Sequence, residues 1–116
     1  AQGMTVMENW INSGDKLDII LANNDDMALG AIQALQAAGK LDETIVVGVD
    51  ATPDGLMAIK KGTLDATVFQ DGAGQARGAI DAALNAVADK AQEKITWIPA
   101  ELVTKDNLAA FEAKKG

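Results

Sequence analysis

Three short clusters hold the side chains that could do chemistry: Asn23-Asn24-Asp25-Asp26, Asp50-Ala51-Thr52 and Gln70-Asp71. Each offers amides or carboxylates, and apart from Thr52 none offers a base, a thiol or a nucleophile. A carboxylate accepts two hydroxyl hydrogen bonds, while an amide donates one and accepts another, so the set suits a neutral polyol. Histidine, cysteine and tyrosine are absent from the chain. That removes the imidazole base, the usual zinc ligands, thiolate chemistry and the phenolic acid, and points away from an enzyme. Hydrogen bonding without catalysis, and without a cofactor or metal, is the chemistry expected.

Asp and Asn also cap helices, and Asp25, Asp26 and Asp71 are assigned to that structural role. Asn24, Asp50 and Gln70 are the candidate ligand-binding residues. Asp50 precedes its cap, Thr52, by two residues, and Asn24 lies before the capping pair, so each can point into a cleft without giving up a helix end. Other constellations are weaker. Asp71-Gly72-Ala73-Gly74 is a glycine-bearing turn, but it is acidic and lacks the Gly-x-x-x-x-Gly-Lys-Ser/Thr pattern of a phosphate loop. Asn23 to Asp26 has oxygen enough for calcium without the spaced carboxylates and terminal Glu of a calcium loop. Trp10 and Trp97 could stack on a sugar face, although a Trp at helical spacing is commonly core, and only Phe69 adjoins a candidate residue.

These residues need elements to position them. Val6, Met7, Trp10 and Ile11 with Met4 recur at helical spacing until Asn12-Ser13-Gly14-Asp15 ends the pattern. Ile19 to Ala22 reads as a strand buried on both faces. Asp25 or Asp26 then caps a helix carrying Ala28, Ile32 and Leu35 on one face, which Gly39 closes. The unit repeats: strand Ile45 to Val49, cap Thr52, Pro53 at the first helical position, Leu56 and Ile59 on one face, and Gly62 as terminator. Ala66 to Phe69 is a third strand, and Asp71 caps a longer helix with an apolar stripe of Ile80, Leu84 and Val87. After it come the extended segments 95–98 and 101–104 and a final helix opened by Asp106. Alternation at this spacing predicts an α/β fold, a parallel sheet with flanking helices, incomplete because three strong strands make a thin sheet. In such sheets ligands bind beyond the carboxyl ends of the strands, where all three clusters fall.

The chain has 116 residues with 48% hydrophobic and 23% charged, the mixture of one folded domain with a modest core. Its net charge of −7 repels a phosphate backbone, so nucleic acid is excluded as a partner. No apolar run approaches the roughly 20 residues that span a bilayer, and Ala1 to Asn9 lack the basic start and apolar stretch of a secretion signal.

Ala22-Asn23-Asn24-Asp25-Asp26-Met27-Ala28-Leu29-Gly30, Val47-Gly48-Val49-Asp50-Ala51-Thr52-Pro53-Asp54-Gly55 and Thr67-Val68-Phe69-Gln70-Asp71 with Gln75 closely resemble, in order and spacing, the carboxy-terminal lobe of type I periplasmic sugar-binding proteins. That family serves ABC importers of ribose, galactose and inositol. Its resemblance covers essentially the whole chain and implies a flavodoxin-like half of a two-lobed, periplasmic binder. It implies that Asn24, Asp50 and Gln70 contact sugar hydroxyls, that residues 1–70 form part of the sugar-binding lobe, and that 71–116 supply a hinge-crossing helix, extended segments and a terminal helix. The partners implied are a neutral sugar or cyclitol and a membrane permease. Members are about twice this length, so the exposed stripe of the hinge-crossing helix and the sheet edge are expected to meet a second copy or a complementing chain. Val49 stands where ribose binders commonly carry Phe, and Gln70 where galactose binders carry Asn, which leaves the ligand open. Sugar-responsive repressors share the fold and parts of the first two motifs, so an effector-binding domain is the alternative, and a structural fragment without tight binding is a third reading.

Overall fold

The computed structural model describes residues 2–114. Ala1, Lys115 and Gly116, the outer ends of the two segments expected from sequence, lie outside the described residues. The chain forms two units, Ala1–Phe69 with Leu102–Gly116, and Gln70–Glu101. The sequence suggests one division near residue 70, whereas the structure has a second at residue 102, after which the chain rejoins the first unit.

The first unit opens with α1 (Gln2–Ser13), β1 (Ile19–Leu21) and α2 (Asp25–Ala37). A 3-10 turn (Leu41–Glu43), β2 (Ile45–Val47), α3 (Pro53–Lys61) and β3 (Ala66–Gln70) follow. β4 (Ala100–Thr104), whose first two residues belong to the second unit, and α5 (Leu108–Lys114) complete it. The four strands make one sheet in the order β1-β2-β3-β4, in which β1 pairs parallel with β2 and β2 parallel with β3. Helix ends follow local chemistry. Thr52 caps α3 by accepting from Gly55 N at 3.0 Å, Pro53 takes the first helical position, and Gly62 closes the helix at φ 77°, a backbone region that costs glycine nothing.

Ile20, Val46 and Val103 reach the core from the sheet, against Leu35 of α2, Ile59 of α3, Met7 of α1 and Phe111 of α5. α1 and α2 touch backbone to backbone, since a Cβ on Gly30 would lie 2.9 Å from Met4 N. β1 differs from its expected burial on both faces: Ile20 is buried, but Ile19 is 56% and Leu21 77% exposed. The alternation follows from the pleat, because the strand turns Ile20 into the helix-lined core and its neighbours to the opposite face.

The second unit holds α4 (Gly72–Val87), capped by Asp71, whose Oδ1 accepts from Gly74 N at 2.8 Å. α4 buries none of its residues, and its stripe of Ile80, Leu84 and Val87 is 59%, 63% and 88% exposed. No strand forms over 91–99, and Trp97 is exposed. The final helix begins at Leu108 and not at Asp106, because Asn107 turns back to accept from Thr104 N at 2.8 Å and donate to Leu102 O at 2.9 Å.

Candidate functional site at the carboxyl ends of the strands

Parallel pairing of β1, β2 and β3 brings their carboxyl ends to one edge of the sheet, and the segments that follow are stitched together there. Asp25 N donates to Val49 O at 2.8 Å, and Asp50 N donates to Val68 O at 2.8 Å. Residues 24–25 after β1 and 49–50 after β2 are thereby neighbours across the edge. Gln70 is the last residue of β3 and the first of the second unit, and it is exposed.

Asn24 corrects one expectation. It is itself the cap of α2, in extended backbone at φ −154°, with Oδ1 accepting from Met27 N at 2.9 Å. The helix end therefore uses one of its amide atoms, while Nδ2 has no partner among the described residues and remains available as a donor. Asp25, expected as a cap, has no such role and is instead fully buried.

Asp25 is the residue that sequence reasoning undervalued. Its Oδ2 accepts from Thr52 N at 2.6 Å and Thr52 Oγ1 at 3.1 Å, and its Oδ1 accepts from Thr67 Oγ1 at 2.6 Å. Both hydroxyls in turn accept a backbone N–H: Thr67 Oγ1 from Ala51 N at 3.2 Å, and Thr52 Oγ1 from Gly55 N at 3.0 Å. Gly48 and Gly55 make room for the carboxylate, since a Cβ on Gly55 would lie 2.6 Å from Asp25 Cγ. Thr67 was the available signal: a polar residue at an inward-facing strand position requires a buried partner.

Asp50 and Ala51 both have positive φ, 102° and 48°, which is uncommon for residues with a side chain. Asp50 is half-buried and Ala51 fully buried. Their backbone is held by the bonds from Asp50 N to Val68 O and from Ala51 N to Thr67 Oγ1. The edge thus holds an amide at Asn24 and a carboxylate at Asp50 on neighbouring segments, two group types that between them can donate to and accept from a hydroxyl. Phe69 packs its ring on Phe111, centroids 5.5 Å apart and tilted by 55°. Trp10 is half-exposed and not a core residue; it lines a groove of about 190 Å³ with Met7, Leu21, Asn23 and Met27. A second groove, about 310 Å³, lies between α3 and α5, lined by Pro53, Leu56, Met57, Lys60 and Glu112 and by none of the candidate residues.

Residues 1–91 match the periplasmic binding protein domain. The chain is 52% identical over 114 residues to a protein named for rhizopine binding in Rhizobium meliloti, covering 97% of this chain and 37% of that protein. It is 48% identical over 69 residues to the ribose import binding protein of Escherichia coli, covering 60% of this chain and 23% of that protein. Among solved structures, it resembles an ABC transporter solute-binding protein of Bacillus halodurans with bound myo-inositol. The TM-score is 0.82 at 53% identity, over 97% of this chain and 39% of that one. A myo-inositol-binding protein of Caulobacter bound to myo-inositol gives a TM-score of 0.82 at 38% identity, over 94% of this chain and 38% of that one. The chain spans about two fifths or less of the length of these relatives, which carry the names of binding proteins. On this sequence match and this parallel α/β architecture, the chain belongs to the periplasmic binding protein family, with sugar-binding components of ABC transporters among its relatives.

Proposed function

We propose that this chain is the carboxy-terminal, ligand-contacting part of a solute-binding protein for a neutral cyclitol or monosaccharide, serving an ABC importer in the periplasm. Asn24, Asp50 and Gln70 are its ligand contacts: Asn24 Nδ2 donates to a hydroxyl oxygen, Asp50 accepts from hydroxyls, and Gln70 does either. The observation that carries the reading is the placement of an amide donor and a carboxylate at the carboxyl ends of adjacent parallel strands, joined by the Asp25 N to Val49 O bond. A cyclitol is favoured over a pentose because two similar structures hold myo-inositol, one at 53% identity. The mechanism is hydrogen bonding alone; the complete protein signals to its permease by closing on the ligand. With about two fifths of a relative's length present, binding by this chain is weak.

The test is isothermal titration with myo-inositol, galactose, ribose and glucose, repeated on Asp50→Asn and Asn24→Ser. Serine keeps the cap of α2 and removes only the amide donor. Heat from one sugar that both variants lose supports the reading; heat that both variants retain refutes it.

The exposed stripe of Ile80, Leu84 and Val87 on α4 supports a second element, association with another copy or a complementing chain through that helix. A concentration-dependent sedimentation coefficient that Leu84→Asp abolishes is the expected result, and a concentration-independent monomer would refute it.

A further inference from the structure

We infer that Asp25 is a positioning residue of the binding edge, which through Thr67 and Thr52 holds Asp50 and Ala51 in left-handed backbone and so orients the Asp50 carboxylate toward ligand. This inference rests on the reading of Asp50 as a ligand contact. Asp25 itself is fully buried, which leaves it no surface to offer a ligand.

Consecutive positive φ values at two residues with side chains persist only where the surroundings over-determine them. Ala51 lacks the polar side chain that lets Asp or Asn form local bonds in such a conformation. Its N–H must therefore be held, and the holder is Thr67 Oγ1 at 3.2 Å. A hydroxyl that accepts from Ala51 still has a proton to place, and it donates that proton to Asp25 Oδ1 at 2.6 Å. On the far side of the same pair, Thr52 N donates to Asp25 Oδ2 at 2.6 Å. Asp25 thus constrains residue 51 through Thr67 and residue 52 directly. Asp25 N, bonded to Val49 O at 2.8 Å, constrains the start of the segment between Val49 and Thr52. One residue therefore ties down both ends of the turn that carries Asp50, and it follows Asn24 directly in the chain. An apolar residue in place of Asp25 could fill the space, but it would leave two hydroxyls and a backbone N–H without an acceptor.

The experiment is NMR on the whole chain, comparing wild type with Thr67→Val, Thr67→Ser and Asp50→Asn, with myo-inositol as the probe. Valine keeps the shape of threonine and removes the hydroxyl relay. The expected result is that Thr67→Val remains folded by its methyl spectrum and loses the strong intraresidue amide to Hα NOEs that positive φ gives Asp50 and Ala51. It should also bind myo-inositol about tenfold more weakly, equivalent to about 1.4 kcal/mol. Thr67→Ser, which keeps the hydroxyl, restores both. Should Thr67→Val not fold, Asp25→Asn replaces it, with faster amide exchange at Ala51 and Thr52 as the expected sign. Retention of the NOEs and the affinity in Thr67→Val, or of slow exchange in Asp25→Asn, would overturn the inference. Loss of the NOEs with unchanged affinity also overturns it. If Asp50→Asn then also binds as wild type does, it is the assignment of Asp50 as a contact that has failed; if Asp50→Asn does not bind, only the positioning role has.

Discussion

Replacing Gly55 by alanine probes the packing around Asp25 with a single methyl group. Gly55 has no left-handed φ, and alanine at a helical position is ordinarily favoured by up to about 1 kcal/mol. Here the new Cβ would stand 2.6 Å from Asp25 Cγ, 3.2 Å from Asp25 Cβ and closer still to Oδ2. Neither side has slack. Gly55 is held by its bond to Thr52 Oγ1, and the carboxylate is held by three donors. Overpacking of this kind costs about 1–3 kcal/mol, and a displaced carboxylate forfeits hydrogen bonds to a charged group worth about 1.5–3 kcal/mol each. Against the helix-propensity gain, the expected net loss is about 2–4 kcal/mol. Urea denaturation followed by circular dichroism reads this as a fall of roughly 1–2 M in midpoint at unchanged slope. Gly72→Ala is the control, since a Cβ there meets nothing within 4 Å. If Gly55→Ala is as stable as the control, the carboxylate is not fixed where the structure puts it, and the account of Asp25 as the hub of this edge fails.

Further substitutions separate core from surface. Leu35→Ala, at a fully buried position of α2, should cost about 2–5 kcal/mol by the same urea assay. Leu21→Ala, at an exposed position of β1, should stay within about 0.5 kcal/mol, and a larger loss would mean that this face of the sheet is covered in solution. Gly62→Ala adds no clash but places a side chain at φ 77°, so it should cost about 1 kcal/mol, read as a lowered melting temperature.

What could be read from the sequence was what local chemistry decides. Thr52-Pro53 at the start of α3 and Gly62 at its end are a cap, a preset φ and a left-handed stop, each made within one turn. The β-α alternation was equally local, because apolar runs of strand length alternate with helical spacing. Asn24 took the cap expected of Asp25 because both residue types cap helices, and which one does so depends on the bonds that the next strand offers. Asp25 turns inward only because Thr52 and Thr67, 27 and 42 residues away, supply donors and Gly48 and Gly55 supply space. That is tertiary information. The exposure of Ile19 and Leu21 was hidden for a similar reason: an apolar run states that a strand can be buried, not how many of its faces are.

Binding of ligand at the carboxyl ends of the parallel strands would be read by titrating the isotopically labelled chain with myo-inositol and following its backbone amide resonances. Saturable shifts concentrated at residues 23–25, 49–52 and 69–71 are expected for such binding. Shifts concentrated instead around Leu56, Met57 and Glu112, in the groove between α3 and α5, or an unmoved spectrum at millimolar myo-inositol, would contradict it.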